Sequence, residues 1–208
     1  LLNSDLGLSG RLAQVTPLFA DLRGFTAMTR GMPPVEVVGM LNEFMTAMSA
    51  EILACKGIVD KYVGDEIIGV FGAPRSVGND ARAAVEAACR MRDRLVQVNE
   101  TRRLRGQVPL AMGVGLHTGQ VVAGCMGSEE LLSYTCIGEA VNLTSRLCSN
   151  ARGGQVIISE ETRQAAGAGI EVRRLEPLQA KGFPEPVPVY EVLGWTAASA
   201  GSVTEPAG

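Results

Sequence analysis

The apolar positions of the chain alternate between strand-like runs and helical stripes. Residues 14–20 form a short, nearly continuous apolar run of strand type with Pro17 inside it. Proline donates no ladder hydrogen bond, so this strand is predicted to start late or to be irregular there. A turn at Arg23-Gly24-Phe25-Thr26 follows. Pro33 and Pro34 suit a helix start. Behind them Val38, Leu41, Met45, Met48 and Ile52 recur at helical spacing, and Gly57 is placed to close that helix. Residues 58–63 and 66–71 read as two strands joined by a tight Gly64-Asp65 turn. Ala84, Ala87, Ala88, Met91, Leu95 and Val98 give the stripe of a long amphipathic helix from Asp80 to about Arg103. Residues 110–116 and 120–124 read as a second hairpin around His117-Thr118-Gly119. Then come a strand at 134–137, a helix from Glu139 to about Cys148 and a strand at 155–158. A short helix capped by Ser159 and late strands at 172–175 and 187–193 complete the pattern.

This order predicts an α+β fold: an antiparallel-dominated sheet with helices packed on one face. Residues 1–12 read as a lead-in or linker, 13–194 as one domain, and 195–208, small and polar, as a disordered tail.

Composition narrows the picture. The chain has 208 residues, 46% of them apolar, enough for one sizeable core. A net charge of −3 argues against a general nucleic-acid binder. No signal peptide and no apolar run of membrane-spanning length is expected, which favours a soluble, cytoplasmic fragment without membrane contact. The first residue is Leu1, so a regulatory or sensor domain of a longer parent chain is expected outside this sequence. Five cysteines without C-x-x-C spacing read as reduced, partly buried thiols, and a single histidine, His117, argues against zinc. There are sixteen arginines but only three lysines, Lys56, Lys61 and Lys181. A lysine retained in so Arg-rich a chain points towards chemistry.

Three segments carry candidate chemistry. In Phe19-Ala20-Asp21-Leu22-Arg23-Gly24-Phe25-Thr26, a carboxylate ends an apolar strand just before a glycine turn able to offer N–H groups to an anion. In Asp60-Lys61-Tyr62-Val63-Gly64-Asp65-Glu66, a second carboxylate sits at a hairpin tip. If that hairpin pairs with the first strand, Asp21 and Asp65 converge, as a two-metal phosphoryl-transfer site requires. Glu66 is expected to point to the other face of its strand and is not counted as a ligand. In the third segment, residues 134–146, Asn142 and Arg146 are four apart and share a helix face. An amide and a guanidinium there suit a ribose and the charge on a transferring phosphorus. His117 is assigned a structural role.

Taken in order, F-A-D-L-R-G-F-T, D-K-Y-V-G-D-E, V-F-G-A-P, G-L-H-T-G, Y-T-C-I-G-E-A-V-N-L-T-S-R and A-K-G-F resemble the catalytic domain of class III adenylyl and guanylyl cyclases, from about Val15 to Val192. The resemblance implies the class III cyclase fold: a ferredoxin-like (βαββαβ) core sheet with appended strands and helices. It also implies two Mg²⁺ or Mn²⁺ ions on Asp21 and Asp65, and a triphosphate held near Phe25 and Thr26. Lys61 and Thr135 would read the purine, Asn142 and Arg146 would stabilise the transition state, and Lys181 would meet the β- and γ-phosphates. In this family the metal carboxylates and the Asn/Arg helix come from different subunits, so a head-to-tail homodimer is implied.

Base choice follows from hydrogen-bond chemistry. Adenine offers an acceptor at N1 and an amino donor at C6. Lys61 only donates, and the Thr135 hydroxyl is able to accept. Guanine reverses that edge and leaves a mismatch. ATP is therefore the expected substrate, with 3′,5′-cyclic AMP and pyrophosphate as products. The Lys/Thr pair also resembles the bicarbonate-stimulated subgroup. The alternatives are a guanylyl cyclase, which typically has Glu and Cys at these positions, or a non-catalytic nucleotide-binding regulatory domain. A diguanylate cyclase is disfavoured because Val63 and Ile67 replace the first glycine and the phenylalanine of its G-G-D-E-F signature. The chain departs from the family pattern at Pro17, at Glu139 where Asp is common, and at residues 128–133, which lack the family's basic residue.

Overall fold

Strand β1 (Arg11–Leu22) is the axis of the fold. The computed structural model describes residues 10–128 and 130–195, so residues 1–9 of the expected lead-in and the tail from 196 lie outside the description. Pro17 does not interrupt β1. On one edge the strand pairs antiparallel with β3 (Glu66–Phe71), from Thr16↔Phe71 to Asp21↔Glu66. On the other edge it changes partner. Its residues 18–22 pair with β4 (Met112–Leu116) and its residues 11–15 with β5 (Gly119–Gly127). Pro17 falls in the gap between these ladders, where a missing N–H breaks nothing.

The expected hairpin at His117 is therefore absent. β4 and β5 run one after the other along β1 in a single register, and His117-Thr118 spans the gap opposite Pro17. Buried hydroxyls seal that gap: Thr16 Oγ1 lies 2.9 Å from Thr118 Oγ1, which donates to Thr162 Oγ1 at 3.1 Å. His117 Nδ1 sits 2.8 Å from Ser159 Oγ, and burial lowers its pKa. The side chain is packed inside the fold.

Helices α2 (Pro34–Ala54) and α3 (Asp80–Leu104) pack together over one face of the sheet. Phe44, Met48, Ile52, Ala84, Ala88 and Met91 meet Leu18, Ala20, Ile67, Val114 and Leu116 there. By length and a mean hydropathy of 1.2, α2 passes as a membrane span, contrary to the sequence expectation of none. Its apolar stripe is nonetheless spent on this core. The helix ends with Lys56, not Gly57, in the left-handed region (φ 65°). Gly57 serves another purpose, since a Cβ there would collide with the Phe71 ring.

The helices occupy both faces, not one. Helix α4 (Glu139–Asn150) lies on the side opposite α2 and α3, where Cys148 packs with Phe19 and Ile68. The reason is in β4. Met112, Val114 and Leu116 face α2 and α3, so Gly113 and Gly115 face the other way. A Cβ on Gly115 would collide with the α4 backbone at Cys148, and one on Gly113 with the Arg23 guanidinium.

The remaining elements are α1 (Phe25–Met28), β2 (Ile58–Val63), β6 (Leu132–Ile137), β7 (Val156–Ser159), α5 (Glu160–Ala166), β8 (Ile170–Arg174) and β9 (Val189–Trp195). The sheet order is β2-β3-β1-β4-β7-β9-β8, with β5 and β6 forming a ribbon off β1. Among the described residues only β4 and β7 pair in parallel. The α+β expectation holds, with nine strands and five helices among the described residues.

Candidate active site

β1 delivers Asp21 one residue from its end, and the β2–β3 turn, with Gly64 at φ 63°, delivers Asp65. The two carboxyl groups come close enough to act on each other. Burial, then the charge and close approach of Asp21, push the Asp65 carboxyl up to about 6, against the pull of Arg23. Glu66 is pushed up to about 7 by burial and by the charges of Asp21 and Asp65. The expectation that Glu66 points to the other face does not hold. Asp65 lies in the turn, so strand alternation does not separate the two. Glu66 instead pairs directly across from Asp21 and shares its face.

Arg23 answers part of this negative charge. Its Nη1 donates to Asp21 Oδ2 at 2.8 Å, and its Nη2 donates to the Cys148 carbonyl near the end of α4. Three carboxylates against one guanidinium form a site that a divalent cation would neutralise. Among the described residues no three His, Cys, Asp or Glu side chains converge as a ready-made ligand set. That fits Mg²⁺ or Mn²⁺, which takes one or two carboxylates and completes its shell with water and substrate phosphate. If such an ion binds here, Asp21 and Asp65 are the carboxylates at hand to hold it.

A second polar group lies on the β2–β6 side. A small cluster of Val15, Val70, Val121, Ala123, Cys136 and Ala140 packs the β5–β6 ribbon against β1 and β3. Thr135 on β6 thereby meets Lys61 on β2, whose Nζ donates to Thr135 Oγ1 at 2.9 Å. The sequence pairing of these two residues, 74 positions apart, is realised in space. Asp60, not singled out from sequence, completes the group by accepting from Thr135 Oγ1 at 3.0 Å.

The other candidates stand apart. Asn142 and Arg146 are both exposed, one turn apart on α4. Among the described residues no hydrogen bond or ion pair joins them to Asp21 or Asp65. Lys181 is exposed in the loop after Ala180, and Thr26 is exposed on α1. Phe25 is half-buried against the α2–α3 core, so its ring anchors the glycine turn.

A carboxylate pair near a strand end, a lysine–hydroxyl pair bridging β2 and β6 and an exposed amide–guanidinium helix face, on this sheet, match the motif set of a class III nucleotide cyclase catalytic domain. The chain belongs to the adenylate and guanylate cyclase catalytic domain family, whose profile matches residues 9–194. It is 32% identical over 183 residues to adenylate cyclase 1 of Rhizobium meliloti (strain 1021), a match covering 87% of this chain but 28% of that protein. Two crystal structures superpose closely. The guanylyl cyclase Cya2 gives a TM-score of 0.85 at 39% identity, covering 92% of this chain and 98% of the other. The adenylyl cyclase CyaB from P. aeruginosa gives 0.87 at 33% identity, covering 91% and 98%. The chain thus spans under a third of the length of the Rhizobium relative.

Proposed function

We propose that the domain converts ATP into 3′,5′-cyclic AMP and pyrophosphate. The observation that carries this reading is the Lys61–Thr135 pair, a charged donor beside a hydroxyl, held at 2.9 Å. It complements N1 and the C6 amino group of adenine. The ribose 3′-oxygen bonds to the α-phosphorus while the bond from that phosphorus to the β-phosphate oxygen breaks, and the 3′-hydroxyl proton leaves to solvent or with the pyrophosphate. A divalent ion pair on Asp21 and Asp65, when bound, supplies charge neutralisation at the attacking and leaving oxygens. Asn142 orients the ribose, and Arg146 offsets charge building on the α-phosphate. Lys181 holds the leaving pyrophosphate, and the turn at Phe25 and Thr26 brackets the triphosphate.

Asn142 and Arg146 are solvent-facing and unconnected to the carboxylates of their own chain, which supports a head-to-tail homodimer with two sites between subunits. A regulatory or sensor domain in a longer parent chain and a cytoplasmic site of action belong to the same proposal, and the 28% of the Rhizobium relative covered by the match supports the first of these. Bicarbonate stimulation belongs to the same reading. The second reading, a guanylyl cyclase, draws on the 39% identity to Cya2. Incubating the purified domain with ATP or GTP and Mn²⁺ decides between them. Cyclic AMP with equimolar pyrophosphate is the expected product. Cyclic GMP formed faster from GTP overturns the ATP assignment, and nucleotide binding with neither product points to a non-catalytic domain.

A further inference from the structure

Asp60 occupies a place that the regular geometry of β2 would deny it. β2 and β3 lose register there: Val59 pairs with Gly69 and Lys61 with Ile68, so Asp60 has no cross-strand partner. Neighbours in an unbroken strand point to opposite faces. A bulge re-aims a side chain, and here it lets both Asp60 and Lys61 reach the same hydroxyl. Lys61 Nζ lies 2.9 Å from Thr135 Oγ1, Thr135 Oγ1 donates to Asp60 Oδ2 at 3.0 Å, and Lys61 Nζ is 3.3 Å from that same Oδ2. The Asp60 side chain is only 6% exposed, and its other oxygen, Oδ1, is buried without a hydrogen-bond partner. An orphaned carboxylate oxygen costs stability. A residue needed only to hold the hairpin would do better as an amide or an apolar group, and sites that break such rules are where function is found.

From this geometry we infer that Asp60 is the positioning residue that sets purine selectivity, by fixing the Thr135 hydroxyl as an acceptor. A free threonine hydroxyl is ambivalent: it accepts from the C6 amino group of adenine or rotates to donate to O6 of guanine. Asp60 is an acceptor-only carboxylate, and it takes the one hydroxyl hydrogen. The lone pairs of Thr135 are then all that the base meets, beside the Lys61 ammonium. Adenine satisfies both groups. Guanine sets its O6 against lone pairs and its N1–H against an ammonium. The inference rests on the ATP reading above and explains how a hydroxyl, which alone tolerates either base, is made to refuse one.

The experiment compares kcat/KM for ATP and for GTP, with Mn²⁺, in the wild type, Asp60→Asn, Asp60→Ala, Thr135→Ala and the Asp60→Asn/Thr135→Ala double variant. The amide of Asp60→Asn is able to donate to Thr135 and so releases the hydroxyl to rotate. The ATP-to-GTP preference is expected to fall about tenfold in Asp60→Asn and Asp60→Ala, the scale of one hydrogen bond in discrimination. In the Thr135→Ala background, Asp60→Asn is expected to change the ratio by less than about twofold, because the group it acts through is gone. Partial unfolding lowers both rates together and leaves the ratio alone, so an unstable variant still gives a reading. A preference unchanged in Asp60→Asn and Asp60→Ala, or a fall just as large on top of Thr135→Ala, overturns the inference. A wild type that prefers GTP overturns the ATP reading itself, a result seen without any variant.

Discussion

Arg146 is the residue whose assigned role is easiest to separate from the fold. It is exposed on α4, and its side chain has no partner among the described residues. Arg146→Ala should therefore melt within about 2 °C of the wild type, since surface changes of this kind lie within about ±0.5 kcal/mol. Turnover should fall by about 10²–10³-fold, the loss typical when one preorganised charge donor is removed from a transition state. A circular-dichroism melt and an initial-rate assay check both halves, and a near-normal rate removes Arg146 from the mechanism. The candidates Asp21, Asp65, Lys61 and Arg146 stand out in the sequence because each sits in an ordered set of motifs. Asp60 and Glu66 were not, and the causes are local. Period-two alternation was applied to Glu66 across a turn, where it does not hold, and a one-residue bulge at Asp60 leaves no trace in the apolar pattern.

At the scale of elements, β4 decides how the site is assembled. Its Met112-Gly113-Val114-Gly115-Leu116 alternation buries large side chains towards α2 and α3 and leaves bare backbone towards α4. Helix α4 settles on that bare backbone, and its Cys148 carbonyl comes within reach of Arg23, which in turn holds Asp21. Gly115→Ala should cost about 1–3 kcal/mol or more, because the added methyl meets helix backbone and not a movable side chain. A urea titration should show the loss as a lower midpoint with an unchanged slope; an unchanged midpoint would mean that α4 is free to shift away. The strands, helices and their order were readable from periodicity. The misread element was the turn at His117. A polar pair followed by glycine looks like a hairpin, yet Pro17 on the facing strand opens a gap that His117-Thr118 crosses without reversing. Which face α4 takes was equally hidden, because that depends on glycines acting through what they leave out.

At the scale of the whole molecule, the exposed Asn142–Arg146 face, unbonded to the carboxylates of its own chain among the described residues, is the feature behind the proposed second copy. Two variants that each kill one half of the site should complement. In an equal mixture of Asp21→Ala and Arg146→Ala chains, half of the dimers formed by random pairing are mixed. Each mixed dimer has one intact site, so about a quarter of the wild-type rate per total protein should return. Each variant alone should be nearly silent. A mixture as silent as its parts would mean that each site is built within one chain. The acid-crowded pocket gives a further expectation at this scale. Chelating divalent ions should abolish turnover and restoring Mn²⁺ should recover it, because among the described residues Arg23 is the one cation that offsets the Asp21 and Asp65 charges.

The central claim is the chemistry at the purine and the α-phosphorus, and product analysis of the wild-type domain tests it most directly. With equal ATP and GTP in Mn²⁺, the account predicts cyclic AMP and pyrophosphate in equal amounts, with cyclic GMP a minor product. Cyclic GMP as the major product, or hydrolysis of ATP without cyclisation, would contradict it.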